Sequence, residues 1–545
     1  MRKLLVPLAV LLLCALLLSA CGKTAAPAAE PEPENPELKL DTSAYTISAQ
    51  DDNYRVFYEI FTGSFSDSNG DGVGDLRGLI NRLDYLNDGN PASGRSLGVE
   101  GIWLTPIFKS PSYHKYDVTD YYTVDEQFGT TEDLQELIAA CHARNIKLIL
   151  DLPLNHTGDQ NRWFSKFKFA HQTGNTEDEY YDFYSYVTVE PGGKGPNGYR
   201  QLADTADWYE CNFDGSMPEL NFDNEAVRAE LVNVARHYLD MGVDGFRFDA
   251  AKYVYFGDNA RSGEFWDWYL EQLKAIKPDV YTVAEVWDAD AVTDEYYSAV
   301  NCFNFTTSQT SGLIATTAQR GRVYAYTSYV ESYLDRIHAI RADAMIVPFI
   351  ANHDTDRAAG YLTVASGNMK VAANLYLLSS GSPFIYYGEE LGIRGSRGGA
   401  NTDANRRLAM LWGDGDTVRD PVGTTYEASK QIDTTVADQI ADKYSLYSYY
   451  KQLLLIRAAH PAIARGAYKA VDVTGTKLGG FVADWNGERV LVLHNTTINS
   501  AEVDLAALGL ADFTKLSAFI GVEEASLEGG VLRLGGQTSA VLVVG

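Results

Sequence analysis

The sequence predicts an α/β protein: a (β/α)₈ TIM barrel, interrupted after its third strand and followed by a smaller antiparallel β-domain. Three observations predict it. Eight apolar, β-rich runs recur with helical patterns between them. Several of these runs end in polar residues, as expected of a barrel that carries its functional groups at the C-terminal ends of its strands. No glycine-rich phosphate turn follows an early strand, as an open doubly wound sheet would require.

The expected strands are residues 54–60, 101–105, 146–152, 245–249, 281–285, 302–305, 345–350 and 383–387. Amphipathic helical patterns fall at 131–144, 224–241, 265–276 and 369–380. About ninety residues separate the third strand from the fourth. Most of that stretch, 157–221, is aromatic and irregular, and is expected to form a small excursion domain over the barrel mouth. The barrel resumes over 222–463. Past Pro461 the pattern changes to short alternating runs at 477–483, 489–495, 501–505, 516–519, 530–534 and 538–544, an antiparallel β-domain over 464–545.

The N-terminus has the form of a targeting segment. Arg2 and Lys3 precede an apolar run from Leu4 to Leu18, and small residues follow at 19–20. The sequence LSAC at 18–21 resembles a bacterial lipobox, which implies removal of 1–20, lipidation of Cys21 and an extracytoplasmic, membrane-anchored protein. Residues 21–52, rich in Ala, Pro and Glu at their start, are expected to be an extended tether, with the folded part (53–156 of the barrel first) beginning near Asn53. The mature cysteines, Cys141, Cys211 and Cys302, form no disulfide framework: at most one bridge is possible, and buried thiols are expected. The net charge of −28 argues against nucleic acid as a partner.

Four segments concentrate the polar chemistry: DLPLNH at 151–156, GFRFDAAK at 245–252, AEVW at 284–287 and FIANHD at 349–354. They deliver three acids, Asp249, Glu285 and Asp354. Acids gathered at one barrel mouth suit glycoside cleavage, which needs a carboxylate nucleophile and a protonated acid. Arg247 and Asp249 alternate on one strand and share a face, so the guanidinium favours the ionised carboxylate. Glu285 must instead hold its proton near neutral pH; nearby carboxylates push it that way, with Trp287 as an apolar wall.

These segments resemble the four best-known regions of the α-amylase family of glycoside hydrolases, family 13. GIWLTP at 101–106, GSPFIYYGE at 381–389, MPELN at 217–221 and YHKYDVTDY at 113–121 extend the resemblance in family order. It implies the architecture already read, with the excursion as domain B and the C-terminal part as a β-sandwich. It also implies roles. Asp249 is the nucleophile, Glu285 the proton donor and then the base, and Asp354 the acid that grips sugar hydroxyls. His156 and His353 hydrogen-bond the glucosyl unit and Tyr116 stacks on it. Lys252 contacts the leaving-side sugar, and Asp403 with Arg407 form a sugar-binding pair. Spaced four apart, those last two could equally be a helical ion pair. One departure is Tyr253 after Lys252, where the family's α-amylases usually carry His; this leaves leaving-side specificity open.

DSNGDGVGD at 67–75 spaces oxygen ligands two apart around glycines, as loops that wrap Ca²⁺ do. The expected ligands are the side chains of Asp67, Asn69, Asp71 and Asp75 and the Val73 carbonyl. Asn155 is the barrel's candidate for a second Ca²⁺. The expected activity is retaining hydrolysis of α-1,4 bonds in starch, glycogen or maltodextrins. A 4-α-glucanotransferase, a neopullulanase-like or α-glucosidase-like enzyme and a non-catalytic glucan-binding protein are the alternatives. Oligomeric state is not legible.

Overall fold

The computed structural model describes residues 38–40, 47–427, 431–432 and 434–545. The segment that resembles a lipobox, with Cys21, lies outside them.

Seven parallel strands run side by side: Asn301–Cys302, Tyr281–Ala284, Gly245–Phe248, Lys147–Leu152, Gly101–Leu104, Phe57–Ile60 and Phe384–Tyr386. Residues 345–348 complete the ring between the first and last of these. Val347 pairs in parallel with Phe303, Asn304 N–H donates to Val347 O, and Ser382 and Phe384 N–H donate to Ile346 O and Pro348 O, each at 3.0 Å. The strand expected at 345–350, seventh in chain order, is therefore present in position but does not form a regular ladder. Pro348 has no N–H to give it.

Period-two alternation builds the barrel interior in layers. The floor is apolar: Phe57, Trp103, Ile149, Val283, Phe303, Val347 and Phe384 pack together. Two residues beyond Phe57, Ile149 and Val283 come Glu59, Asp151 and Glu285, and Arg247 of the neighbouring strand lies in register with Asp151. Gly101 makes room for the floor, since a Cβ there would sit 2.4 Å from the Phe57 ring.

The helices follow their caps. Thr131–His142 opens on a Thr130/Asp133 capping box, and Glu225–Met241 runs from Asn224 to a left-handed Gly242. The helix expected at 265–276 begins earlier, as Asn259–Ile276, because Asp258 caps it by accepting from Arg261 N–H. Residues 157–221 are more regular than expected. They contain the helix Arg162–Thr173, started by Asn161 and ended by left-handed Gly174, and a three-stranded sheet of Tyr186–Thr188, Asp207–Glu210 and Tyr199–Gln201.

The C-terminal part has two antiparallel sheets. The larger contains Lys515–Gly521, Thr538–Val543, Glu488–Asn495, Gly479–Trp485 and Ala467–Asp472; the smaller contains Ala501–Asp504, Val531–Leu534 and Ala525–Glu528. Leu491, Leu493, Val503, Phe513, Leu532 and Leu542 fill the space between them. The strands 467–472 and 525–528 were not expected. Leu38–Leu40 corrects the tether: this segment pairs antiparallel with Lys515–Gly521 at the sheet edge. Gln50 and Asp52, also assigned to the tether, are hydrogen-bonded to Arg55 and Arg465. Cys141, Cys211 and Cys302 are all free thiols, the first and last buried.

Candidate active site

Strand ends converge on a cavity of about 680 Å³ at the barrel mouth. Asp249, Glu285 and Asp354 line it, as do Tyr116, His156, Lys252, Asp403 and Arg407. Arg247 and His353, both fully buried, lie directly beneath. Every catalytic and sugar-contacting candidate from the sequence is thus brought to one place.

Arg247 organises the acids. Its Nη1 donates to Asp151 Oδ1 at 2.8 Å and to Asp249 Oδ1 at 2.6 Å; Nη2 donates to Glu285 Oε2 at 2.5 Å. Burial pushes Glu285 up to about 7; Arg247 pulls it down, and Asp249 and Asp354 push it further up. Asp249 departs from expectation: burial, with Asp151 and Asp354, lifts it above the ordinary carboxylate value despite Arg247. Trp287 lines the cavity, but it stacks on Phe305 at 4.8 Å and remains 39% exposed. Desolvation and neighbouring carboxylates, rather than an indole wall alone, account for the Glu285 shift.

Asp354 is held from two sides, by Arg407 Nη2 at 2.7 Å and His353 Nε2 at 3.0 Å. Despite burial, these cations hold it far below the usual carboxylate range. Asp403 and Arg407 both line the cavity, but the helical ion pair between them does not form. Asp403 is bonded to Arg406 Nη1 at 2.8 Å, three residues on, while Arg407 turns to Asp354 and to the Tyr113 hydroxyl at 3.1 Å. Tyr116 donates to Asp151 Oδ2 at 2.8 Å and lies flat against the His353 ring. Burial lowers His156 to about 4, leaving it neutral, and neither ring nitrogen has a partner of good geometry. Lys252 Nζ is tethered to Trp287 O at 2.8 Å and Asp288 Oδ2 at 3.0 Å.

Some site residues escaped the sequence reading. Asp151 stands in one of the quoted motifs and shares strand parity with the inward floor residue Ile149, a usable signal. Glu59, 1% exposed inside the apolar strand Phe57–Ile60, carried the same signal. Phe213 gave none; only folding brings it over the mouth, 4.6 Å from the Tyr253 ring.

In the 67–75 loop, Asp67 accepts from Gly70 and Gly72 N–H at 2.7 Å, Asp71 from Val73 N–H, and Asp75 from Gly78 N–H as a helix cap. Among the described residues no three His, Cys, Asp or Glu side chains are gathered as a metal-binding group. The donors themselves, three carboxylates, one amide oxygen and one backbone carbonyl on a nine-residue loop, are the oxygen ligands a hard divalent cation takes. Asn155 is buried, its amide lies beside Glu219, and neither of its polar atoms has a partner of good geometry.

Fold and site together define a barrel glycoside hydrolase. Residues 59–466 match the family described as "Alpha amylase, catalytic domain". Alpha-amylase 3 of Dictyoglomus thermophilum is 34% identical over 450 residues, 81% of this chain and 84% of that protein. A 4-alpha-glucanotransferase of Thermotoga maritima is 33% identical over 358 residues, 64% of this chain and 74% of that protein. The structure of Eubacterium rectale Amy13B superposes with a TM-score of 0.84 at 33% identity, covering 92% of this chain and 98% of that one. The chain belongs to the α-amylase family of glycoside hydrolases, family 13.

Proposed function

We propose that this enzyme is a retaining hydrolase of α-1,4-glucosidic bonds in starch, glycogen or maltodextrins, an α-amylase. The observation that carries this reading is the placement of Asp249 and Glu285 on the two terminal nitrogens of one guanidinium. That placement keeps the carboxyl groups close, and short separation goes with a covalent intermediate. Asp249 attacks the anomeric carbon while Glu285 gives its proton to the departing glycosidic oxygen. Glu285 then takes a proton from water, which displaces Asp249 with net retention. Asp354, ionised, holds ring hydroxyls as the oxocarbenium-like transition state forms, with neutral His156 and Tyr116 at the same sugar.

A second reading, 4-α-glucanotransfer, is favoured by the aromatic surface beside Lys252. Tyr253 stacks on Phe256 at 4.9 Å, and Phe213 and Phe256 are about half exposed. Aromatic faces hold sugar rings and would favour a sugar over water as acceptor. Incubation with maltoheptaose separates the readings. Shorter products alone mean hydrolysis, longer ones mean transfer, and an unchanged substrate would remove the catalytic proposal in favour of a glucan-binding protein.

Ca²⁺ belongs to this reading. Asp67, Asn69, Asp71, Asp75 and the Val73 carbonyl would hold one ion and rigidify the loop after the first strand. Asn155, with Glu219 beside it, is the candidate for a second. Lipidation of Cys21 and attachment outside the cytoplasm are proposed from the sequence pattern alone. So is the division into leader, tether, barrel, domain B and C-terminal domain. Among the described residues no helix is long and apolar enough to cross a membrane.

A further inference from the structure

Glu59 lies under the catalytic acids, with its carboxylate directed into the barrel. Its Oε1 accepts from His353 Nδ1 at 2.6 Å and from the His353 backbone N–H at 3.3 Å. The other ring nitrogen, Nε2, is 3.0 Å from Asp354 Oδ2 and 2.7 Å from the Tyr116 hydroxyl. That hydroxyl gives its proton to Asp151, so it offers His353 only a lone pair. Burial lifts Glu59 above the ordinary carboxylate value, while His353 and Arg247 pull it down; with Glu59 and Asp354 ionised, both ring nitrogens face acceptors and both carry hydrogen. The ring is an imidazolium wedged between two carboxylates. The edge of Trp103 packs against it at 5.6 Å, and Arg407 Nε donates to His353 O at 3.1 Å. Asp151 and Arg247 are the remaining charged neighbours.

A buried carboxylate is a costly way to hold an N–H. A glutamine would accept the same hydrogen bond without desolvating a charge. What glutamine could not do is favour the second proton on the ring. We propose that Glu59 is a positioning residue for the glycosidic reaction: by holding Nδ1–H it keeps His353 cationic and its Nε2–H aimed at Asp354, so that Asp354 stays charged and oriented on the sugar ring. This rests on the reading of Asp354 as the ring-gripping acid. The titration behaviour agrees: burial pulls His353 down, but Asp354 and Glu59 raise it to about 10.

The test is Glu59→Gln in ¹⁵N-histidine-labelled protein, with the His353 signals assigned by their loss in His353→Gln. In the unaltered enzyme His353 stays doubly protonated across roughly pH 5–8, the window in which ordinary histidines titrate. In Glu59→Gln it becomes neutral within that window, and kcat on maltoheptaose falls roughly tenfold to a hundredfold with little change in KM. Glu59→Asp, which keeps the charge, retains the imidazolium and guards against misfolding of the amide variant. A His353 that stays cationic in Glu59→Gln, or is already neutral at pH 7 in the unaltered enzyme, overturns the proposal. An active Asp249→Asn enzyme would overturn the catalytic reading instead and leave the NMR result standing.

Discussion

Arg247 and Asp249 leave one strand on the same side, and Nη1 of the first lies 2.6 Å from Oδ1 of the second. The carboxylate is therefore fixed in direction even though burial lifts its pKa. Asparagine at 249 keeps an oxygen for Arg247 to hold, so the fold should survive while the proposed nucleophile is lost. Asp249→Asn is expected to lower kcat by on the order of 10⁴-fold or more with an unchanged circular dichroism spectrum. Near-normal turnover in that variant would mean that another group attacks the sugar.

Glu285 sets an alkaline limit. Its folded value, about 7, means that raising the pH through neutrality removes the proton it must donate. kcat/KM for maltoheptaose should therefore decline above about pH 7, placing the optimum on the acid side of neutral. Glu285→Gln should erase that limb and lower kcat, and a glycosyl fluoride, whose leaving group needs no proton, should recover the first step. An alkaline limb that persists unmoved in the variant would assign it to a different group.

The acids were legible because each ends an apolar strand, where parity and position leave little choice of direction. Arg247 was legible in the same way, as the inward residue two before Asp249. Its contacts with Asp151 and Glu285 were not, because those acids stand on strands distant in sequence. Asp403 shows the limit of spacing arguments. Four residues before Arg407 it suggested a pair, but the chain there is a short 3₁₀ turn, Asp403–Arg406, that presents Arg406 to it instead. The helix Arg162–Thr173 went unseen because aromatic and basic residues mask its apolar face, although Asn161 and Gly174 mark its ends. In the C-terminal domain, Ala467–Asp472 mixes half-buried and exposed residues, with none buried, so its hydrophobic signal is weak.

The 67–75 loop is tied to the stretch of chain that follows Arg407. Thr417 Oγ1 donates to Asp67 Oδ2 at 2.6 Å, Asp416 Oδ1 accepts from Asp67 N–H, and Ser64 Oγ donates to Arg407 O. Loss of a bound Ca²⁺ should therefore loosen the active-site side of the barrel as well as the loop. Chelation is expected to lower Tm, with recovery on adding Ca²⁺ but not Na⁺, because a ligand that binds only the folded state stabilises it by mass action. Asp67→Ala should abolish the Ca²⁺-dependent part of the shift. Calorimetric titration that detects no Ca²⁺ uptake by the unaltered protein would remove the ion from this loop.

Glu389 gives the fold a pH dependence separate from catalysis. It is buried, with Tyr376 and Tyr450 both donating to Oε1 at 2.7 and 2.9 Å, while Oε2 has no partner. Burial pushes it up to about 7 although the two hydroxyls pull it down. A folded value above the ordinary 4.5 means that the folded state binds this proton more tightly than the unfolded chain does. The resulting stability is complete below about pH 4.5 and is lost as pH rises through about 7. Glu219, buried, and Glu285, half-buried at the cavity wall, are each near 7 and act in the same direction. The protein should therefore melt several degrees lower at pH 8 than at pH 5. In Glu389→Gln, where the amide oxygen still accepts from both tyrosines and no charge can form, that decline should be smaller, so the two proteins should match near pH 5 and diverge at the higher pH. Parallel melting curves for the two proteins across this range would show that Glu389 titrates alike in folded and unfolded chains.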